Sequence, residues 1–164
     1  MTKERIILGI DPGTADTGYG VIKVKGSQLT CLTYGTIKTS ATQSLAERLF
    51  SLDQELNKII KQYQPSYVAV EQLFFNKNTK TALAVGQARG VILLAIAKNK
   101  LPYFEYTPPQ VKLAVTSHGQ ANKLQVQKMV KLILGLKEIP QPDDAADALA
   151  IAITALNTRL CQKN

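Results

Sequence analysis

The chain has 164 residues, with 20 Lys and Arg against 12 Asp and Glu for a net charge of +8, and 45% of its residues are apolar. This length suits one domain over residues 1–164 and leaves no room for two; the composition excludes a disordered chain. The charge excess points to a polyanionic partner, nucleic acid before membrane, because no basic amphipathic stretch or lipidation signal is present. No apolar run reaches the ~18–20 residues of a bilayer span, since Gly90–Ala97 is closed off by Arg89 and Lys98. MTKERIILGID has no secretory pattern, so the cytoplasm is the expected location. Cys31 and Cys161 lie far apart and suggest neither a disulfide framework nor a thiolate zinc site. The single histidine, His118, lacks the neighbours of a Ser/His/Asp triad or a HExxH zinc site.

Arg5–Ile10 is a short apolar run ended by Asp-Pro-Gly, and Gly18–Val24 and Gln28–Thr39 alternate apolar with polar around a Lys-Gly-Ser turn. These segments predict a three-strand antiparallel meander. Between Leu45 and Tyr63 the apolar residues follow the three-and-four spacing of an amphipathic helix, which Pro65 ends. Tyr67–Val70 predicts a buried strand with Glu71 at its C-terminal end. Thr79–Lys98 predicts a helix rich in small residues, and Ala82, Gly86 and Gly90, spaced by four, form a face suited to close packing inside the fold or against another chain. A fifth strand is expected over Leu101–Tyr106, then a short helix capped by Thr107 with Pro108 and Pro109 in its first turn, broken at Ser117–Gln120. Asn122–Leu134 predicts a helix with a basic outer face, and a last helix runs from Asp143 to about Leu160. The order predicts an α/β fold: a mixed sheet of the meander plus two parallel strands, flanked by helices, with the ends of strands one and four side by side.

Asp11 ends the first strand, Glu71 ends the fourth, and Asp143, Asp144 and Asp147 open the last helix. Singly, Asp-Pro-Gly is a good turn, Glu71 suits an exposed strand end, and Asp143 and Asp144 suit a helix N-terminus. Asp147 is different. It lies within the apolar run AADALAIAI, where an unpaired acid is costly unless it faces a site or solvent. Acids three or four apart on a helix share a face, and the slim Ala145, Ala146 and Ala148 allow that face to approach the sheet. Carboxylates converging without cationic partners repel one another unless hard divalent cations compensate, with Mg²⁺ the natural choice. Two such ions form the clamp of phosphodiester hydrolysis.

Between Lys98 and Lys137, seven lysines meet one acid, Glu105, and supply +6 of the +8. Lys112 and Lys123 flank the Ser117–Gly119 loop and suit contacts to phosphate oxygens, whereas Lys128 and Lys137 suit a solvated helix face. Phe74 and Phe75, followed by Asn76 and Lys77, suit stacking on unpaired bases, with one of the two rings in the core.

The stretches ILGIDPGTADTGYGVI, VAVEQLFFNKN, ALAVGQARGV, FEYTPPQVK, NKLQVQKMV and DDAADALAIAI, in that order, resemble the RuvC family of bacterial Holliday junction resolvases over essentially the whole chain. The resemblance implies a ribonuclease H-like fold and a homodimer whose two sites cut opposing strands of four-way junction DNA symmetrically, leaving 5′-phosphate ends. It implies Asp11, Glu71, Asp144 and Asp147 as catalytic metal ligands, the expected seats of two Mg²⁺ ions that Mn²⁺ can replace. It also implies Phe74, Lys112 and Lys123 as DNA contacts, Arg89 as a weaker one, and the RuvA and RuvB branch-migration proteins as partners. Asp143 could substitute for Asp144 in one rotamer or only cap the helix, and capping is the expectation. Two other readings of the residues are a ribonuclease H-like nuclease acting on a different nucleic acid and a non-catalytic junction-binding protein. An actin-like or sugar-kinase-like ATPase would need a duplicated domain, for which the chain is too short.

Overall fold

The computed structural model describes residues 4–13, 15–73 and 79–157. Three strands form the meander: β1 (Arg5–Asp11), β2 (Asp16–Lys25) and β3 (Gln28–Lys38). Helix α1 (Leu45–Tyr63) leads to β4 (Tyr67–Glu71), and α2 (Thr79–Lys98) leads to β5 (Tyr103–Tyr106). Helices α3 (Pro108–Thr116), α4 (Lys123–Ile133) and α5 (Asp143–Thr154) follow, and a 3₁₀ turn covers Ala155–Asn157. The sheet order is β3-β2-β1-β4-β5. β1, β2 and β3 pair antiparallel, while β4 runs parallel to both β1 and β5, giving the mixed sheet the sequence predicts.

The period-two alternation of the strands divides the core into two layers. Leu8, Ile10, Val21, Val68 and Val70 face Leu52, Leu56 and Ile60 of α1 and Ala88, Ile92, Ala95 and Ile96 of α2. Ile7, Ile22, Tyr67 and Ala69 face α3, α4 and α5 on the other side. Gly9 and Asp11 continue the Ile7 row, and Glu71 continues the Tyr67 and Ala69 row. Both strand-end acids therefore point toward α5.

Helix starts are set by local chemistry. Ser44, Thr107 and Asn122 each accept a bond from the backbone N–H three residues on, and Glu47, Gln110 and Gln125 reach back to the cap N–H. Predicted boundaries shift at two elements. Helix α5 ends at Thr154 and passes into the 3₁₀ turn of Ala155–Asn157 instead of continuing as an α-helix toward Leu160. β5 begins at Tyr103 rather than Leu101, because Lys100 turns to φ 53° and the N–H of Leu101 bonds the carbonyl of Ile96, so these residues close α2 instead of extending the sheet.

Helix α5 is buried on nearly every side from Ala145 to Thr154, as its alanine-rich sequence requires. It lies directly on the glycines of β1 and β2. A Cβ at Gly9 would stand 2.1 Å from the carbonyl oxygen of Ala148, and one at Gly18 would stand 2.0 Å from that of Asp144. Only residues without a side chain permit this approach.

The outer face of α2 is different. Ala88, Ile92, Ala95 and Ile96 turn inward, while Leu83, Gly86, Gly90 and Leu94 share the opposite face by helical spacing. Leu83 and Leu94 are 68% and 53% exposed, and a Cβ on Gly86 or Gly90 would meet nothing within 4 Å. The small-residue face therefore does not pack inside the described fold. Residues Thr81–Lys98 have a mean hydropathy of 1.4; part of that apolar surface covers the sheet and part remains open.

Candidate metal centre and nucleic-acid cleft

Asp11 stands opposite Gly18 on β2, and Ile10 stands opposite Val70 on β4, which sets Glu71 beside Asp11 at the end of the paired strands. From the other direction, α5 delivers Asp144 and Asp147, three residues apart on one face. Carboxylate oxygens of Asp11, Asp144 and Asp147 lie within 4.8 Å of one another. The Glu71 and Asp11 carboxyls are hydrogen-bonded together. Asp11 and the two α5 acids thus converge, and Glu71 stands beside Asp11 on the neighbouring strand.

Their electrostatics show the strain of that gathering. Burial first, then the charges of Glu71, Asp147 and Asp144, pushes the Asp11 carboxyl well above the ordinary Asp range. Burial also raises Glu71, with Asp147 adding to it, while the hydrogen bond to Asp11 and the charge of Lys123 pull the other way. Asp147 is raised mainly by burial, against the opposing pull of Lys123. All the donors are hard carboxylate oxygens, the set that divalent cations of the Mg²⁺ and Ca²⁺ type prefer. The group fits a metal ion, and among the described residues it is where three or more such ligands converge.

One cation does stand beside the acids. Lys123, the first residue of α4, places Nζ 3.2 Å from Asp147 and 3.2 Å from Asp143. Burial alone would lower its ammonium; the carboxylates of Asp147 and Asp143 outweigh that and raise it. Asp143 departs from expectation. The N-cap of α5 is Pro142, with no side-chain cap bond, and Asp143 instead accepts a 3.0 Å hydrogen bond from Nε2 of Gln127 on α4. Bonds from Lys123 and Gln127 hold the Asp143 carboxyl below the ordinary Asp value.

Next to the acids opens a cleft of about 270 Å³ lined by Glu71, Pro108, Val111, Lys112, Lys123, Val126, Asp147 and Ala150. Lys112 from α3 and Lys123 from α4 therefore share one concavity with two of the acids. Arg89 lies elsewhere: it forms an ion pair with Glu105, and Glu105 alternates with Phe104 and Tyr106, which pack on the α5 side. The Arg89 pair thus occupies the α2 face of the sheet, opposite the carboxylates. Lys98, counted in the basic run, is paired with Asp53. Phe74, Phe75 and Lys77 fall outside the described residues.

A mixed sheet carrying strand-end and helix-borne acids beside a lysine-lined cleft is the arrangement suited to metal-dependent hydrolysis of nucleic acid, the class in which junction resolvases fall. Comparison with known proteins narrows this. The family described as crossover junction endodeoxyribonuclease RuvC matches residues 7–155, and the chain belongs to it. The RuvC of Heliobacterium modesticaldum is 58% identical over 148 residues, covering 90% of this chain and 91% of that protein. The solved structure of T. thermophilus RuvC in complex with a Holliday junction substrate is similar at a TM-score of 0.87 and 40% identity, covering 92% of each chain. The yeast mitochondrial resolvase Ydc2, at 14% identity and a TM-score of 0.62 over 90% of this chain and 77% of that one, shares the fold.

Proposed function

We propose that this chain is a cytoplasmic endonuclease that cuts four-way DNA junctions as a homodimer, at Mg²⁺ ions held by Asp11, Glu71, Asp144 and Asp147. The observation that carries this reading is the meeting of four acids from β1, β4 and α5 beside a cleft that Lys112 and Lys123 also line. Two Mg²⁺ ions in each site, with Mn²⁺ as a substitute, would supply an activated water and stabilise charge on the leaving oxygen.

The protein's own residues do the rest. Lys112 and Lys123 draw a phosphate into the cleft, where phosphate contacts fix register without selecting a base sequence. Asp11, Glu71 and Asp147, whose carboxyls are raised, would give up their protons more readily in favour of a bound cation as pH rises, so metal binding would strengthen with pH. Phe74, by family resemblance, stacks on an unpaired base near the junction centre. Arg89, committed to Glu105, is the weaker DNA contact of the set. The open α2 stripe of Leu83, Gly86, Gly90 and Leu94 supports the dimer: an apolar face of small residues suits a two-fold copy of itself. RuvA and RuvB are the partners that family membership suggests.

The test is cleavage of a synthetic four-way junction with Mg²⁺. Wild type is expected to make paired, symmetric nicks, and Asp11→Asn to bind the junction and leave it whole. Equal cutting of linear duplex would refute junction selectivity and favour the broader ribonuclease H-like nuclease reading.

A further inference from the structure

Lys123 touches one carboxylate of the metal centre and one that lies outside it. Its Nζ bridges Asp147 and Asp143 at 3.2 Å each. Asp143 is itself anchored, because its other oxygen accepts a bond from Gln127, a polar side chain only 6% exposed. Lys123 and Gln127 are four residues apart on α4 and share a face. The helix thus offers an ammonium and an amide donor side by side, and Asp143 takes both. Capping does not account for Asp143, since it makes no cap bond. A divalent cation on Asp147 would repel an ammonium that shares the same carboxylate, and Asp143 provides the second anion that can keep it.

We propose that Asp143 is a positioning residue: pinned by Gln127, it retains the Lys123 ammonium at the rim of the cleft while Asp147 serves the metal, leaving the lysine within reach of the substrate phosphate. The purpose rests on the nuclease reading; the retention does not.

Two measurements test it. With Mg²⁺ present, acylation by an amine-reactive ester, followed lysine by lysine by mass spectrometry, should show Lys123 labelled roughly threefold faster in Asp143→Ala, with Lys112 and Lys128 unchanged. Gln127→Met should shift Lys123 the same way by less. In single-turnover junction cleavage at saturating enzyme, Asp143→Ala should lose about tenfold, and Asp143→Glu should recover part of it. In a Lys123→Ala background, adding Asp143→Ala should cost nothing further. Unchanged Lys123 labelling, or an equal loss with and without Lys123, overturns the proposal. If Asp143→Ala does not fold, Asp143→Asn keeps the acceptor for Gln127, removes the charge and gives the same readings. If wild type cuts no junction, the nuclease reading fails while the labelling result still decides the retention.

Discussion

Replacing Gly18 with alanine probes how the two halves of the metal centre are held in register. The new Cβ would lie 2.0 Å from the Asp144 carbonyl oxygen and 2.5 Å from its carbonyl carbon. Both atoms are backbone, so no rotamer relieves the clash. Reaching even 3.0 Å requires the first turn of α5 to withdraw by about 1 Å. Asp11 is the direct partner of Gly18 across the sheet, so the withdrawal opens the gap between Asp11 and Asp144 by a similar amount. Mg²⁺ demands oxygens at ~2.0–2.1 Å in near-octahedral array, and a misplacement of ~1 Å at a reacting site costs on the order of 10²-fold in rate. The overpacking itself should cost roughly 1–3 kcal/mol, a loss of about 2–4 °C in melting temperature per kcal/mol for a protein of this size.

Gly20→Ala is the matched control, two residues along the same strand face. There the added Cβ would approach the Leu149 side chain at 2.7 Å and its backbone N–H at 3.0 Å, and a leucine side chain can shift. Junction cleavage under single-turnover conditions, Mn²⁺ binding by calorimetry and thermal melting together decide the matter. Gly18→Ala should lose cleavage and metal binding far beyond its stability loss, while Gly20→Ala should mainly lose stability. Wild-type cleavage by Gly18→Ala, or a worse metal site in Gly20→Ala, would refute the reasoning.

Two further outcomes are expected. In the metal-free protein the raised Asp11, Glu71 and Asp147 carboxyls hold protons that the unfolded chain releases near its ordinary pKa of about 4, so stability falls as pH rises from there through the raised values. In EDTA, melting temperature should therefore fall with pH more steeply for wild type than for Asp11→Asn, and Mg²⁺ should stabilise wild type more; equal slopes would refute this. Leu83→Glu with Leu94→Glu should convert the dimer to monomer in sedimentation velocity, and an intact dimer would remove α2 from the interface.

The elements were legible because their signals are local. The apolar spacing of Leu45–Tyr63, closed by Pro65, delimits α1, and the small-residue-rich stretch Thr79–Lys98 delimits α2, as found. The acids were legible because Asp147 stands out in an apolar helix and because strand ends and helix starts are the places where a mixed sheet can bring them together. Less legible was what lets them meet. Gly9, Gly18 and Gly20 line up only once β1 and β2 are registered and α5 is laid across them. The Gln127 bond to Asp143 joins residues sixteen apart on different helices, so the sequence offers only the acidic pair at a helix start, where capping is the simpler account. The neutralisation of Arg89 by Glu105 likewise needs the sheet to place β5 under α2.

The burial of α5 has a consequence for how activity can be controlled. Two of the four acids ride on the most enclosed helix of the fold, against β1 and β2, where hydrogen-bonded backbone opens only with the whole domain. Local breathing cannot switch such a centre on and off. A rearrangement of the centre would have to carry the enclosed face of α5 and the two strands beneath it together.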